Sequence, residues 1–531
     1  MAIPSWINRT NLYYAGLTAM LIALPLSRAL MSMSQLFLSA LWLLDPKILQ
    51  KWKMFFRNRA AMVIVSVFIL HIIGLLWTTD FDYAVKDLRT KIPLLALPII
   101  ISTSPKVNRS LFHYLMFVFI IANVLGTIAS MHELLTKEIA DIRDISLFMS
   151  HVRFSLNICV AIFAGLYLIF GSGFFNLKIK IALFVTIIWL VFFLVILESV
   201  TGLSILIIVG FLLALLTIFK SKSKVLKITI AAFLVAIPML LFFYLKNLYD
   251  EAMPDEPFRH KDMVITTSKG NFYGHDSTIT GIENGHWVGQ YIQWTEIKEE
   301  WGKRSSITID SIDNSGHYIR YTLLRYLSSK GLRKDAEAIQ GLTDDEIRHI
   351  ENGIANINEL TETSIQNRMR AIVWEMMIFK QTGFMSGHSV AQRLEFWRAG
   401  LHIIQKNFWL GTGTGDIKEA YANEYVEMNS QLESQFRWRA HNQYLAIFAA
   451  LGFFGWLWFM FALIYPGYHL KMFDDYFYLV FFLILALSML SEDTIENQAG
   501  VTFFTFFTVF FLFARSNKMT IFSQNKTDDN G

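Results

Sequence analysis

The chain has 531 residues, of which 54% are apolar, 15% aromatic and only 17% charged, with a formal net charge of +4. A soluble fold carries nearer a quarter charged residues, so this composition excludes an ordinary water-soluble protein, and a small net charge spread over short loops excludes a nucleic-acid surface. The single cysteine, Cys159, lies in an apolar run, which excludes both a disulfide framework and a cysteine-built metal site.

Crossing a bilayer takes roughly 17 to 25 apolar residues, fewer when neighbouring polar ends are counted in. Twelve stretches qualify, at about 12–26, 29–44, 60–77, 92–101, 111–131, 154–170, 179–197, 202–219, 228–245, 442–465, 476–490 and 501–514. The fourth, with Pro93 and Pro98, is the shortest. The first is followed at once by a second and lacks a small-residue cleavage pattern, so it reads as a span and not as a signal peptide. The expected fold is an all-α polytopic membrane protein of about twelve transmembrane helices. Its parts are an N-terminal bundle of about nine spans (1–245), a large polar insertion (246–440), three C-terminal spans (441–515) and a polar tail (516–531) expected to be disordered.

Basic residues resist translocation and stay in the cytoplasm. Lys47, Lys51, Lys53, Arg57 and Arg59, then Lys106 and Arg109, then Lys178 and Lys180, then Lys220, Lys222, Lys224 and Lys227 all fall on one side of the twelve-span layout. That side is read as cytoplasmic, with both termini. The outer face then receives loops 78–91, 132–153, 198–201 and 491–500 and the insertion; its basic residues sit mostly beside acids, as with Lys86, Asp87 and Arg89.

The insertion reads as a folded mixed α/β domain. From 249 to about 319 it alternates Gly, Asn and Asp turn signals with short aromatic or β-branched runs at 287–292 and 306–309, which suits a few exposed strands. Its second part is helical. Thr343-Asp-Asp-Glu346 has the form of a capping box, and 364–379 and 390–407 carry apolar residues at helical spacing.

Three groups of residues could carry chemistry. Just before the tenth span stands Arg437-Trp-Arg439-Ala-His441-Asn442, followed by nine residues and Gly452-Phe-Phe-Gly455. A helical reading puts Arg437 one turn from His441, an imidazole at the outer interface with two guanidinium groups beside it. An interfacial anchor with packing glycines would account for the same residues. Upstream, a helix projects Arg393 and Trp397 on one face, with Arg398 beside them, and leads to a turn containing Gly411, Gly413 and Gly415. Arginine suits a diphosphate because its fork donates paired hydrogen bonds and stays protonated. A glycine turn can present N–H groups to an anion, or be only a turn. No strand precedes it and no Lys-Ser/Thr follows, so neither a Rossmann site nor a P-loop is supported. The third group comprises Arg153, Glu198 and the loop acids Glu492, Asp493 and Glu496. These read as interface anchors and a solvated loop face unless they point into the bundle, where charge marks a site.

The run Arg393 to Gly415, the His441-Asn442 pair nine residues ahead of Gly-x-x-Gly, and the closing Glu492-Asp-Thr-Ile-Glu-Asn-Gln-Ala-Gly500-Val-Thr-Phe-Phe resemble the bacterial O-antigen ligase and O-antigen polymerase superfamily, its ligase branch in particular. The resemblance implies a GT-C-type glycosyltransferase of the bacterial inner membrane, working on the periplasmic face without metal or cofactor. Such a ligase transfers a glycan from undecaprenyl diphosphate to the lipid A core or another glycan acceptor. By the same resemblance His441 matches the family's essential histidine and Arg393 the arginine heading the preceding helix, with Arg153 a looser match. Arg437 and Arg439 would help to hold the diphosphate, supported by Arg398, the three glycines and Asn442. Two departures stand out: the family's Arg-x-x-x-Leu is here Arg393 followed by Trp397, and Ser199-Val200 stands where many relatives have Ser-Arg. A polymerase, a protein O-oligosaccharyltransferase and a polysaccharide transporter are the alternatives. Against a transporter stand the lack of paired half-helix signals and of a repeated hydropathy pattern between the halves.

Reporter fusions within 250–389 are expected to score as periplasmic, and fusions at Lys51, at Lys222 and after Arg515 as cytoplasmic. A cytoplasmic score for the insertion would place the acceptor-facing residues in the wrong compartment.

Overall fold

The computed structural model describes residues 8–137, 142–220, 223–254, 256–259, 262–279, 281–382 and 389–519. The chain forms two compact units, residues 1–227 with 393–531, and residues 228–392. The tail expected to be disordered lies, from residue 520 onward, outside the described residues.

Every one of the twelve apolar stretches lies on a helix, several of which run beyond the expected ends, as Lys224–Ala252 does for 228–245 and Arg109–Thr136 for 111–131. Among the described residues, seven helices are long and apolar enough to cross a membrane by length and composition, His151–Phe170 and Gln443–His469 being two of them; Tyr476–Ser488 and Gln498–Phe513 are apolar but shorter. The protein is thus a polytopic helical membrane protein. His151–Phe170 is its most enclosed candidate span, 94% of its apolar window being buried, whereas Leu177–Ile196 buries only 28% and leaves Phe184, Ile188 and Phe192 exposed. The short fourth stretch is the second half of a longer helix, Phe81–Ser102, which runs through both prolines and begins on polar residues. The basic connection after the second stretch is not a loop. It folds into a helix of its own, Ile48–Arg57, because apolar and basic residues alternate there at helical spacing.

The helix Gln443–His469 is broken at Gly452, whose φ of +66° and ψ of −170° lie outside the helical region. A break at membrane depth frees backbone groups that must find other partners. They find them in the turn after Trp409. Thr412 and Gly413 donate their N–H groups to the carbonyls of Ala449 and Ala450 at 3.0 and 2.8 Å, and Phe453 donates to Phe408 at 2.7 Å. Only glycine fits on either side: a Cβ on Gly452 would meet the backbone of Trp409 and Leu410 at 2.4 Å, and one on Gly411 would meet Ala450 at the same distance.

The unit 228–392 has its own core, in which Trp301, Tyr326, Ile297, Leu323, Leu324 and Leu327 interlock. Helices Trp294–Arg304, Ile319–Ser329, Ala336–Gln340 and Asp344–Glu351 supply most of it, and the capping box at Thr343 and Glu346 is formed as the sequence suggests. Helices Ser364–Thr382 and Ser389–Lys406 also form. The expected strands mostly do not. Among the described residues the one sheet is a two-residue hairpin pairing Ile282–Glu283 with His286–Trp287, so the insertion is helical where a mixed α/β domain was expected. The physical reason is competition for apolar side chains: Val288, Ile292 and Ile309, read as strand residues, are buried among the helices, and Ile292 makes only isolated bridges, to Gly274 and Lys334.

Gly452→Ala should destabilise the folded protein in detergent by about 1–3 kcal/mol or more, since it forces both a positive φ and a backbone clash. Gly210→Ala, in a helix with nothing within 4 Å of the added methyl, should be neutral or slightly stabilising. Equal thermal midpoints for the two variants would show that the break is dispensable.

Candidate functional site

The glycine turn continues into Asp416, whose carboxylate accepts from the N–H groups of Thr79 at 2.9 and 3.0 Å and of Asp80 at 2.7 Å. Gly415 donates to Thr78 Oγ1 at 3.1 Å, and Thr414 Oγ1 donates to the His71 carbonyl at 2.7 Å. The turn is thereby tied to the end of one helix and the start of the next. Its peptide donors are spent on the protein itself: Gly411 binds Asn407, Thr412 and Gly413 bind the broken helix, and Gly415 binds Thr78. Of the two readings open for Gly411, Gly413 and Gly415, an anion cradle or a plain turn, these bonds favour the turn.

Arg437 and His441 do not share a helix. Residues 437–440 are extended, not helical, and the helix starts at Gln443, where Asn442 caps it by accepting from the N–H groups of Tyr444 and Leu445 at 3.0 and 3.2 Å. The one-turn spacing does not exist, because an asparagine cap ends the extended segment immediately before the helix. His441 itself sits at φ +45°, a left-handed conformation that non-glycine residues adopt at a cost of order 1–3 kcal/mol and that clusters at functional sites. Its ring lies 5.8 Å from Phe396 and 6.5 Å from Trp438, centroid to centroid. The segment is anchored from two sides. Trp397 donates its indole N–H to the Ala440 carbonyl at 3.0 Å, and Tyr425 donates its hydroxyl to the Trp438 carbonyl at 2.6 Å. The tryptophan that departs from the family's leucine thus holds the histidine loop.

A cavity of about 760 Å³ opens here, with Tyr83, Arg437, Arg439, His441, Asp493 and Glu496 on its wall. Two of its wall residues, Arg439 and Glu496, belong to an ion network that reaches behind the wall to Lys91 and Asp87. Lys91 Nζ lies 2.5 Å from Asp87 and 2.9 Å from Glu496; Arg439 lies 3.2 Å from Glu496 and donates to the Tyr83 hydroxyl at 3.1 Å. Gln443 joins it by donating to Glu496 at 3.3 Å while accepting from the Ile495 N–H at 2.7 Å. Burial by itself would push the Glu496 carboxyl up, but the cations of Lys91 and Arg439 outweigh it and hold that carboxyl well below the usual carboxylate range. Burial likewise disfavours the Arg439 charge, and Glu496 more than restores it. Asp493 differs: burial raises its carboxyl above the ordinary value, Arg439 and His441 only partly opposing the rise, and its Oδ1 has no hydrogen-bond partner among the described residues.

The remaining expected residues fall elsewhere. Arg153 is buried against the loop 491–497, donating to Thr494 Oγ1 at 3.4 Å and the Asp493 carbonyl at 3.3 Å, with Glu492 at 3.6 Å; it does not line the cavity. Arg393 is half-buried and also off the wall, and Arg398 is exposed beside Glu395 at 3.5 Å. Arg437 does line it, donating to the carbonyls of Leu432 and Ser430 at 2.9 and 3.4 Å and stacking over Tyr425 at 5.9 Å. The acids read as a solvated loop face are not solvated. Asp493 and Glu496 are enclosed because Gln443 and Arg439 reach across to their loop. Tyr83, Lys91 and Gln443 were missed altogether; the Asp87–Lys91 spacing of four residues was the available signal.

Fold and site together define a polytopic membrane protein with a charged cavity set against a broken helix. Residues 342–460 match the family model described as O-antigen ligase, which places this segment in the O-antigen ligase superfamily and takes in Arg437, Arg439 and His441. No curated protein matches the chain.

Removing one member of a buried ion network costs about 3–5 kcal/mol, whereas an exposed pair contributes under about 1 kcal/mol. Glu496→Gln should therefore lower thermal stability far more than Asp345→Asn, which breaks the exposed pair to Arg348. Since the folded Glu496 carboxyl lies below its ordinary range, its contribution is present above that range and is lost only as pH falls through the lower folded value. Wild-type stability should accordingly hold from neutral to mildly acidic pH and fail in strong acid, a profile that thermal melts across pH would check.

Proposed function

We propose that the protein is an O-antigen ligase: a membrane glycosyltransferase that moves a glycan from undecaprenyl diphosphate to a sugar hydroxyl of the lipid A core on the periplasmic face of the inner membrane. The observation that carries this reading is the convergence of His441, Arg437 and Arg439 on one cavity, within the segment that matches the family. A polyprenyl diphosphate is already a good leaving group. The protein must hold it with cations, exclude water, and take one proton from the acceptor.

In this reading the acceptor oxygen attacks the anomeric carbon of the donor sugar, the bond to the diphosphate breaks, and the hydroxyl proton passes to the imidazole of His441. The left-handed backbone and the flanking rings of Phe396 and Trp438 set the ring's direction. Arg437 is the guanidinium on the wall without a carboxylate partner among the described residues, so it is the one free to meet the diphosphate; Arg439, paired with Glu496, positions the loop. Arg393 and Arg153 belong to the diphosphate set by family resemblance, and donor binding would draw on them if the lipid head extends beyond the wall described above.

His441→Ala and His441→Gln should lose roughly 10²- to 10⁴-fold in transfer rate while still binding donor, as expected for a general base. Arg437→Lys should stay impaired in donor binding, because lysine keeps the charge but loses the fork. The assay is transfer from lipid-linked donor to core acceptor by the purified protein. Near-normal turnover of His441→Gln would return the histidine to the role of an interface anchor. A deletion strain should accumulate lipid-linked polymer and free core; core bearing a single repeat unit would point to a polymerase instead.

A further inference from the structure

The helix Phe81–Ser102 carries Tyr83 of the cavity described above near its start. Its 22 residues span about 33 Å, close to the thickness of a bilayer's hydrocarbon core. At its other end, capped by Thr103, lies a second cavity of about 320 Å³. The start of Arg9–Leu26, the end of Arg28–Leu43 and the short helix Ile48–Arg57 close it.

The lining is cationic, Arg9, Lys47 and Lys51 facing a single carboxylate, Asp45. Lys51 pairs with Asp45 at 2.9 Å. Arg9 donates to the carbonyls of Leu44 at 2.8 Å and Leu41 at 3.4 Å, so that Arg9 and Lys51 both act on the one carboxylate, Asp45, and the cations outnumber it. The ammonium of Lys47 has no acidic partner among the described residues. Tyr13, 3% exposed, lines the same cavity; among the described residues its hydroxyl has no partner within 3.5 Å, and the Ser104 side chain is the polar group that acts on it. Around this polar pocket the surface is oily: Leu43, Leu44, Leu49, Met54 and Phe56 are exposed, and Trp42 and Met54 form part of the wall. A basic amphipathic helix with such a face lies in a membrane interface, where each cation near an anionic lipid surface adds about 1 kcal/mol.

We propose that this second cavity is a binding site for the phosphate headgroup of an anionic phospholipid. The phosphate meets Lys47 and Arg9 and accepts from the Tyr13 hydroxyl, and the acyl chains lie along the exposed apolar residues of Ile48–Arg57. A soluble phosphate would use the same cations but would have no use for the apolar rim. This inference is independent of the transferase reading, since no residue is shared between the two cavities.

The test is native mass spectrometry of the full chain purified in detergent and titrated with phosphatidylglycerol or phosphatidylcholine. Phosphatidylglycerol should be retained selectively, and Lys47→Gln should weaken it roughly fivefold, the equivalent of one cation near an anionic surface. Tyr13→Phe, which keeps the ring and the packing, should weaken it several-fold without shifting the thermal midpoint. Lys53→Gln, on the same helix but off the cavity wall, should change retention less than twofold. Equal retention of the two lipids, equal loss in Lys53→Gln and Lys47→Gln, or displacement of the lipid by millimolar inorganic phosphate would each overturn the assignment. Unchanged retention in Tyr13→Phe together with Lys47→Gln would do the same.

Discussion

At Gly452 the helix Gln443–His469 gives up its regular hydrogen bonds, and the turn after Trp409 takes them over. In water such a break would cost little, since solvent could meet the freed carbonyls. At membrane depth each orphaned backbone group costs several kcal/mol, so the break exists only where another backbone is docked against it. That requirement explains the density of glycine on both partners, because two main chains within van der Waals contact leave no room for Cβ. It also fixes the turn, and through Asp416 and Gly415 it fixes the helix ends at Thr78–Asp80. The cavity stands on this joint.

Above the joint the organising force is electrostatic. Lys91, Glu496 and Arg439 come from a helix, a loop late in the chain and the segment before the broken helix, parts of the sequence that nothing local holds together. Their mutual pairing offsets a large desolvation cost only while all three are in place, which makes the network a device for register more than for stability. It places Arg439, and with it His441 two residues on, against the loop that carries Asp493. The contrast between Glu496, held ionised by two cations, and Asp493, pushed toward its neutral form by burial, shows how two acids three residues apart acquire different chemistry from their surroundings.

Much of this was legible beforehand. The apolar runs located all twelve helical stretches, since hydrocarbon leaves the backbone no alternative to internal hydrogen bonding. The histidine segment and the capping box at Thr343 were visible because their signals are local. The strand expected from Trp287 shrank to a two-residue pairing and the one expected around Ile307 did not form, because whether an apolar run pairs in a sheet or docks on helices depends on what else needs covering, and here Trp301 and Tyr326 did.

Spacing and composition, then, were enough for membrane class, helix positions and the identity of the histidine as a candidate. Tertiary structure decided which charges are shared. Arg153, Arg393 and Arg437 looked alike in the sequence, yet one is buried against a loop, one stands apart, and one lines the cavity. The glycine turn could be read as an anion cradle or as a plain turn, and its N–H groups are taken up by the protein itself. Lys91 and Glu496 gave no joint signal although they lie 2.9 Å apart, because a pairing across some four hundred positions of chain leaves no periodicity to read. Helix formation in a membrane is dictated residue by residue, whereas the pairing of buried charges is dictated by whatever the packed helices bring within reach.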